Sequence, residues 1–137
     1  MTGMTNDLYI PTSGPMKRPE SPEQAARVLA DQAFEAPNVQ LVNIHSAEFT
    51  SVCPITGQPD FGTVSIEYQP NAKCLESKAL KFYLWSFRNE GAFCESLAAR
   101  IADDIVNAIA PRHLKVTLTQ TPRGGLGIAV VAERSNP

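Results

Sequence analysis

The 137-residue sequence has no run of the ~18 consecutive apolar residues that a membrane-spanning helix requires. Its first twenty residues, MTGMTNDLYIPTSGPMKRPE, lack the basic start and apolar core of a secretory signal, so a cytoplasmic location is expected. Cysteine is scarce. Cys53, Cys74 and Cys94 are odd in number and form no C-x-x-C pair, which argues against a disulfide framework and against a thiolate zinc site. Histidine is scarcer still, with only His45 and His113, so no metal centre is expected. A formal net charge of −2 offers no bulk attraction to nucleic acid or to an anionic membrane. There is no internal repeat and no low-complexity tract.

What is present is a soluble globular balance, 43% apolar and 19% charged, in a length that suits one domain. Residues 1–20, with three prolines and two glycines, read as an arm, and 21–137 as a single domain. Ser21-Pro22 is a helix start, a serine N-cap followed by proline at the first helical position; Val28, Leu29 and Ala33 form its short apolar face, and Ala36-Pro37-Asn38 ends it. Val39–Ile44 alternates as a strand that runs on irregularly towards Thr50. Residues 53–60 (CPITGQPD) form a loop, and Phe61–Tyr68 a second strand with Val64, Ile66 and Tyr68 on one face.

Between Glu76 and Phe87 the period changes. Leu80, Tyr83, Leu84 and Phe87 fall on the stripe of a helix, which Asn89-Glu90-Gly91 breaks. A further helix follows over 92–108 with Phe93, Leu97, Ile101, Ile105 and Ile109 inward, stopped by Pro111. Leu114–Thr121 alternates strictly; a turn at Pro122-Arg123-Gly124-Gly125 joins it to Leu126–Ala132. The core order is ββααββ, an α+β antiparallel sheet with helices layered on one face.

Several side chains suit chemistry. Cys53 follows a strand and precedes Pro54, with Asp60 at the entrance of the next strand: a thiolate nucleophile and a carboxyl proton source across one loop. The same residues also suit a small buried thiol and a turn-forming aspartate. Lys78 and Lys81, with Ser77, sit near a helix start, where cations and free N–H groups attract phosphate; from the spacing alone a solvated helix face is the commoner reading. Arg123 in its Gly-rich turn is a further phosphate contact or an exposed arginine. Glu95 could grip a purine-like N–H edge, or merely complement a helix dipole.

Three longer blocks resolve these alternatives. EFTSVCPITGQPDF (48–61), ESKALKFYLWSFRN (76–89) and TPRGG (121–125) resemble, in order, the active-site segment, the NADPH-associated helix and a third block of the 7-cyano-7-deazaguanine reductases, the nitrile reductases of the queuosine pathway. The resemblance spans roughly residues 37–130. It implies the tunnelling fold, subunits that assemble into a ring of five or a doubled ring of ten, and sites between subunits. It implies NADPH as cofactor and 7-cyano-7-deazaguanine as substrate. Cys53 would add to the nitrile carbon to give a thioimide, with Asp60 handling protons. Glu95 would hold the guanine-like edge of the base, Glu76 would serve the substrate or the subunit contact, Cys94 would stand at a substrate-binding position, and Ser77, Lys78, Lys81 and Arg123 would hold the cofactor.

One position departs from the family. A histidine commonly precedes the substrate-binding glutamate, but here it is Cys94, which offers only weak donors and acceptors. A second thiol near Cys53 also raises a reversible protective disulfide. Two other readings compete: a relative that converts a tRNA-borne nitrile to an amidine without the NADPH helix, and a non-catalytic purine- or pterin-binding module.

Overall fold

A computed structural model describes residues 15–136. Residues 1–14 of the expected arm lie outside the described residues, while in the remainder Pro19 is buried and Met16 packs on the core. Helix α1 (Pro22–Asp31) starts as the sequence predicts, Ser21 Oγ accepting from Gln24 N at 3.1 Å with proline in the first turn. The chain then forms a two-residue strand β1 (Phe34–Glu35), β2 (Val42–Val52), β3 (Pro59–Gln69), a second short strand β4 (Lys73–Cys74), α2 (Ser77–Trp85), α3 (Cys94–Ile109), β5 (His113–Arg123) and β6 (Leu126–Ser135). The expected ββααββ order stands, preceded by α1.

The four long strands make one antiparallel sheet in the order β2-β3-β5-β6, and β1 pairs with β4 as a separate ribbon. Tyr68, Ile66 and Val64 on β3, with Leu114, Val116 and Leu118 on β5, alternate inward and are buried. The helices cover that face. Leu97, Ile101, Ile105 and Ile109 of α3 point into it at the interval of one helical turn. Across the helices, Tyr83 Oη donates to Asp104 at 2.5 Å, and Arg100 pairs with Glu23 beneath the ring of Phe87.

Small shifts from the expected bounds have local causes. Val39 N donates to Pro37 O at 2.8 Å, a tight turn that delays β2 to Val42. Phe93, expected inward, is the N-cap of α3 and 55% exposed, because the helix begins one residue later. Ala110, at φ 42°, ends α3 in the left-handed region before Pro111 is reached.

Two register shifts govern the rest. On β2, Ser46 pairs with Val64 but Phe49 with Gly62, so Ala47 and Glu48 stand against Thr63 alone. This one-residue bulge reverses the strand's alternation. Before it Val42, Ile44 and Ser46 are turned towards the helices; after it Phe49, Ser51 and Cys53 are, and all three are buried. On β5, Gln120 pairs with Ile128 but Arg123 with Leu126, leaving Thr121 and Pro122 against Gly127.

Gly62 on β3 pairs with Gln120 on β5 and faces its backbone closely. A Cβ there would lie 2.4 Å from the Thr119 carbonyl oxygen. Gly62→Ala must therefore push two hydrogen-bonded strands apart, and we expect it to destabilise the fold by about 1–3 kcal/mol. A thermal melt measures this; an unchanged midpoint would show that the strand pair yields freely at this point.

Among the described residues no helix is long and apolar enough to cross a membrane.

Candidate active site

The bulge on β2 brings Cys53 and Asp60 to the same side of the sheet. Ser51 pairs directly with Asp60, so the two share a face, and Cys53 lies two residues beyond Ser51 on that face. Backbone bonds then fix the position of Cys53. Its N–H donates to Gln58 O at 2.9 Å, and its carbonyl accepts from Gly57 N at 3.0 Å, closing the 53–58 loop through the positive φ of Gly57, 74°. The preceding residue is clasped from the other side: Val52 N donates to Glu90 O at 3.0 Å, and Ala92 N to Val52 O at 3.2 Å. Cys53 thus stands between its own loop and the approach to α3.

The tight loop folds donors back onto the sulfur. The Thr56 hydroxyl and amide, then the Ile55 amide and Arg123, pull the Cys53 thiol down to about 6. These donors favour the thiolate form. Cys94 differs: burial, then the charges of Glu95 and Asp60, push its thiol up to about 11, and its S–H points to Leu118 O at 3.8 Å. Cys53, Cys74 and Cys94 are all free thiols.

Asp60 is 7% exposed. Arg123 Nε lies 2.7 Å from its Oδ1, yet off the N–H direction, so that this buried oxygen has no aligned hydrogen-bond partner. Beside it a cavity of about 10 Å³, bounded by Ser51, Asp60, Cys94 and Gln120 among apolar neighbours, is at the lower limit for one water. A buried carboxyl paired with Arg123, beside room for one water, is placed to exchange a proton with something that enters.

The residues of α2 form a second cluster. A groove of about 570 Å³ between β2 and α2 is lined by Ser77 and Lys81, one helical turn apart, with His45, Glu48, Trp85 and Arg88. Lys78 does not line it. The expected free N–H groups at the start of α2 are already taken, because Glu76 caps the helix and accepts from Lys78 N at 2.9 Å and Ala79 N at 2.8 Å. Charge and groove, rather than bare amides, are what this helix offers a phosphate. Glu95 is exposed on the first turn of α3, a helix whose N-cap Phe93 supplies no side-chain cap.

One chain therefore gathers Cys53, Asp60 and Arg123, with Cys94 against Asp60. It leaves Ser77 and Lys81 on a separate groove. The sequence reading missed Thr56 and Gln58, although a Pro-x-x-Gly turn directly after a cysteine is a signal for amides folded back on the thiol. It also missed Trp85 and Arg88, which only the packing of α2 against β2 places in the groove.

Comparison with known proteins identifies relatives of this chain. A family model described as QueF-like protein matches residues 59–137. A protein of Syntrophus aciditrophicus (strain SB) is 53% identical over 97 residues, covering 71% of this chain and 69% of the relative. One from Alkalilimnicola ehrlichii is 47% identical, covering 71% and 75%, and one from Anaeromyxobacter sp. (strain Fw109-5) is 55% identical over 85 residues, covering 62% and 70%. All three are named NADPH-dependent 7-cyano-7-deazaguanine reductase. Among solved structures, the apo crystal structure of an archaeosine synthase QueF-Like superposes with a TM-score of 0.69 at 30% identity, covering 74% of this chain and 99% of that one.

Proposed function

This chain belongs to the QueF-like protein family, and from that premise we propose that it reduces the nitrile of 7-cyano-7-deazaguanine to the aminomethyl base with NADPH. The observation that carries this reading is the placement of Cys53, with the donors of its own loop folded back on the sulfur, on the same sheet face as the buried Asp60. A nitrile accepts hydride poorly. Addition of the Cys53 sulfur to the nitrile carbon, with a proton taken from solvent and passed to nitrogen through the Asp60 carboxyl, converts it to a thioimide whose carbon is far more electrophilic. The features that make Cys53 a stable thiolate also make it a good leaving group once that carbon has been reduced.

NADPH supplies the two hydrides when bound. The residues present suit it: the groove beside α2 is large enough for part of a dinucleotide, and Ser77, Lys81 and Arg88 give it a hydroxyl and two cations. Lys78 stands at the same helix start and belongs to the set through its charge. Glu95, exposed beside Cys94, is the group to hold the guanidine-like edge of the base.

Within one chain the groove and the thiol are apart, and both sheet edges are open along strands of 11 and 10 residues, β2 and β6. Exposed Leu126, Ile128 and Val131 lie on β6. Antiparallel pairing of β6 with the β2 of a neighbour would continue the sheet, bury these side chains and bring two half-sites together. We assign the working enzyme to such a ring, of five subunits or ten.

The archaeosine synthase likeness keeps amidine formation as the second reading. Higher identity to the reductases, 47–55%, favours hydride chemistry. Mixing the chain with 7-cyano-7-deazaguanine and NADPH decides: about two cofactors consumed per base follows from two hydride steps. Ammonia uptake with no NADPH oxidation, or a monomer in sedimentation that still turns over, would overturn the reduction or the ring respectively.

A further inference from the structure

Neither the nitrile chemistry nor the three family blocks give a task to the stretch before α1. Residues 15–20 (PMKRPE) form no helix or strand, yet they are fastened to the body along their length. Pro19 is buried, and Met16 packs against the core. Glu20 N donates to Gln24 Oε1 at 2.9 Å, in the first turn of α1. Arg18 makes the directed tie. With the Asn89 amide turned so that its oxygen faces the guanidinium, Nη1 donates to it at 2.8 Å and Nη2 at 3.1 Å. Two prolines restrict this segment before it docks, so holding it as a strap costs less entropy.

The strap leads to the groove beside α2. Of the described residues that line this groove, Met16 alone comes from outside β2 and the stretch 77–88. It joins Ile44, Leu80, Leu84 and Trp85 as the apolar part of a lining whose cations are Lys81 and Arg88. That division suits a ligand made of flat rings and phosphates. A polarisable thioether packs well on a ring, and the cations take the phosphate oxygens. The anchor lies next to this lining, since Asn89 follows directly on Arg88. Asn89 is neutral, so its bond to Arg18 cancels none of the arginine's charge.

We propose that residues 16–18 are a third wall of the cofactor groove: Met16 packs on a ring of the bound dinucleotide, and Arg18, anchored on Asn89, is the positioning residue that holds Met16 there. The proposal deepens the assignment of this groove to NADPH and rests on it. It is compatible with the ring of subunits. A neighbour's β6 would approach along the edge of β2, whereas the strap arrives from the start of α1, which packs on α2 and α3 on the helix side of the sheet. Strap and cofactor then hold one another, because whatever the strap adds to cofactor binding the cofactor adds to docking of the strap.

Trp85 is the single tryptophan of the chain and lines the groove, so its fluorescence reports NADPH in the full chain without substrate. NADPH should quench it saturably in wild type. Arg18→Ala, which frees the strap, should raise the half-quench concentration about fivefold, the worth of one hydrogen bond from a charged donor. Met16→Glu, which sets a carboxylate against an anionic ligand, should raise it at least about tenfold. A strap of purely structural worth would instead lower the melting midpoint and leave the half-quench unmoved. Wild type supplies a second measurement that needs no variant. Trypsin cuts after the exposed Lys17, while Pro19 bars the cut after Arg18, and NADPH should slow the Lys17 cut, read by mass, at least about threefold. Equal half-quench in wild type and both variants, or a Lys17 cut that NADPH leaves unchanged, overturns this proposal alone. No quench in wild type removes the cofactor from the groove, and the third wall with it. The expected shifts without NADPH oxidation on adding the nitrile would sink the reductase reading and leave the strap's role standing.

Discussion

Cys53→Ala is expected to abolish nitrile reduction, with a loss of turnover of at least about 10³-fold, because direct hydride addition to an unactivated nitrile has no comparable route. Neither other thiol is placed to substitute, Cys74 being packed in the core. Cys94 is buried against Leu118 with its thiol held up at about 11, so it is protonated where Cys53 is not. Intact mass after mixing with the base alone should show a covalent adduct in wild type and none in the variant. The wild-type activity should also fall as pH drops through about 6, since the depressed thiol is a thiolate above that value and protonated below it. Turnover in Cys53→Ala above a tenth of wild type would mean that the nitrile is reduced without covalent attachment.

Asp60→Asn separates attack from proton delivery. Asparagine nearly preserves the shape of a residue that is 7% exposed, so the sheet beneath should hold and the melting midpoint should shift by only a few degrees. The thiolate does not depend on Asp60: the donors on the Cys53 sulfur are Thr56, Ile55 and Arg123. Adduct formation with the base should therefore persist in Asp60→Asn. Turnover should fall by about 10²–10⁴-fold, the usual worth of a positioned general acid. Loss of adduct and turnover together would instead make Asp60 part of the attack itself, and full activity would leave it a structural aspartate.

Much of this protein is legible in its amino-acid order. The start of α1 is visible in Ser21-Pro22, the inner face of α3 in Leu97, Ile101, Ile105 and Ile109, and the strict alternation of β5 in Leu114, Val116 and Leu118. These signals are local, so neighbours in sequence suffice to read them. The β1–β4 ribbon was not legible, because two residues per strand carry no period. The end of the loop was misplaced for a similar reason. Pro59 and Asp60 belong to β3, and the proline that suggests a loop is tolerated as the first residue of the strand.

The capping role of Glu76 shows a different limit. Glutamate before Ser-Lys-Ala suits a substrate contact and a helix cap alike, and only the backbone geometry at Ala79 and Lys78 commits its carboxylate. The same holds for Lys78 and Lys81. Three residues apart, they share a broad helix face, yet the packing of α2 on β2 turns only Lys81 and Ser77 to the groove.

The order of residues by itself determined the elements, the one-sided core and the three blocks that identify the family, because periodicity and motif are properties of neighbours along the chain. The tertiary structure alone decided that Cys53, Asp60 and Arg123 face one another. A strand turns each successive side chain to the opposite face, so one inserted residue reverses everything after it. Two such insertions, at Ala47-Glu48 and at Thr121-Pro122, are visible only once each strand is laid against its partner.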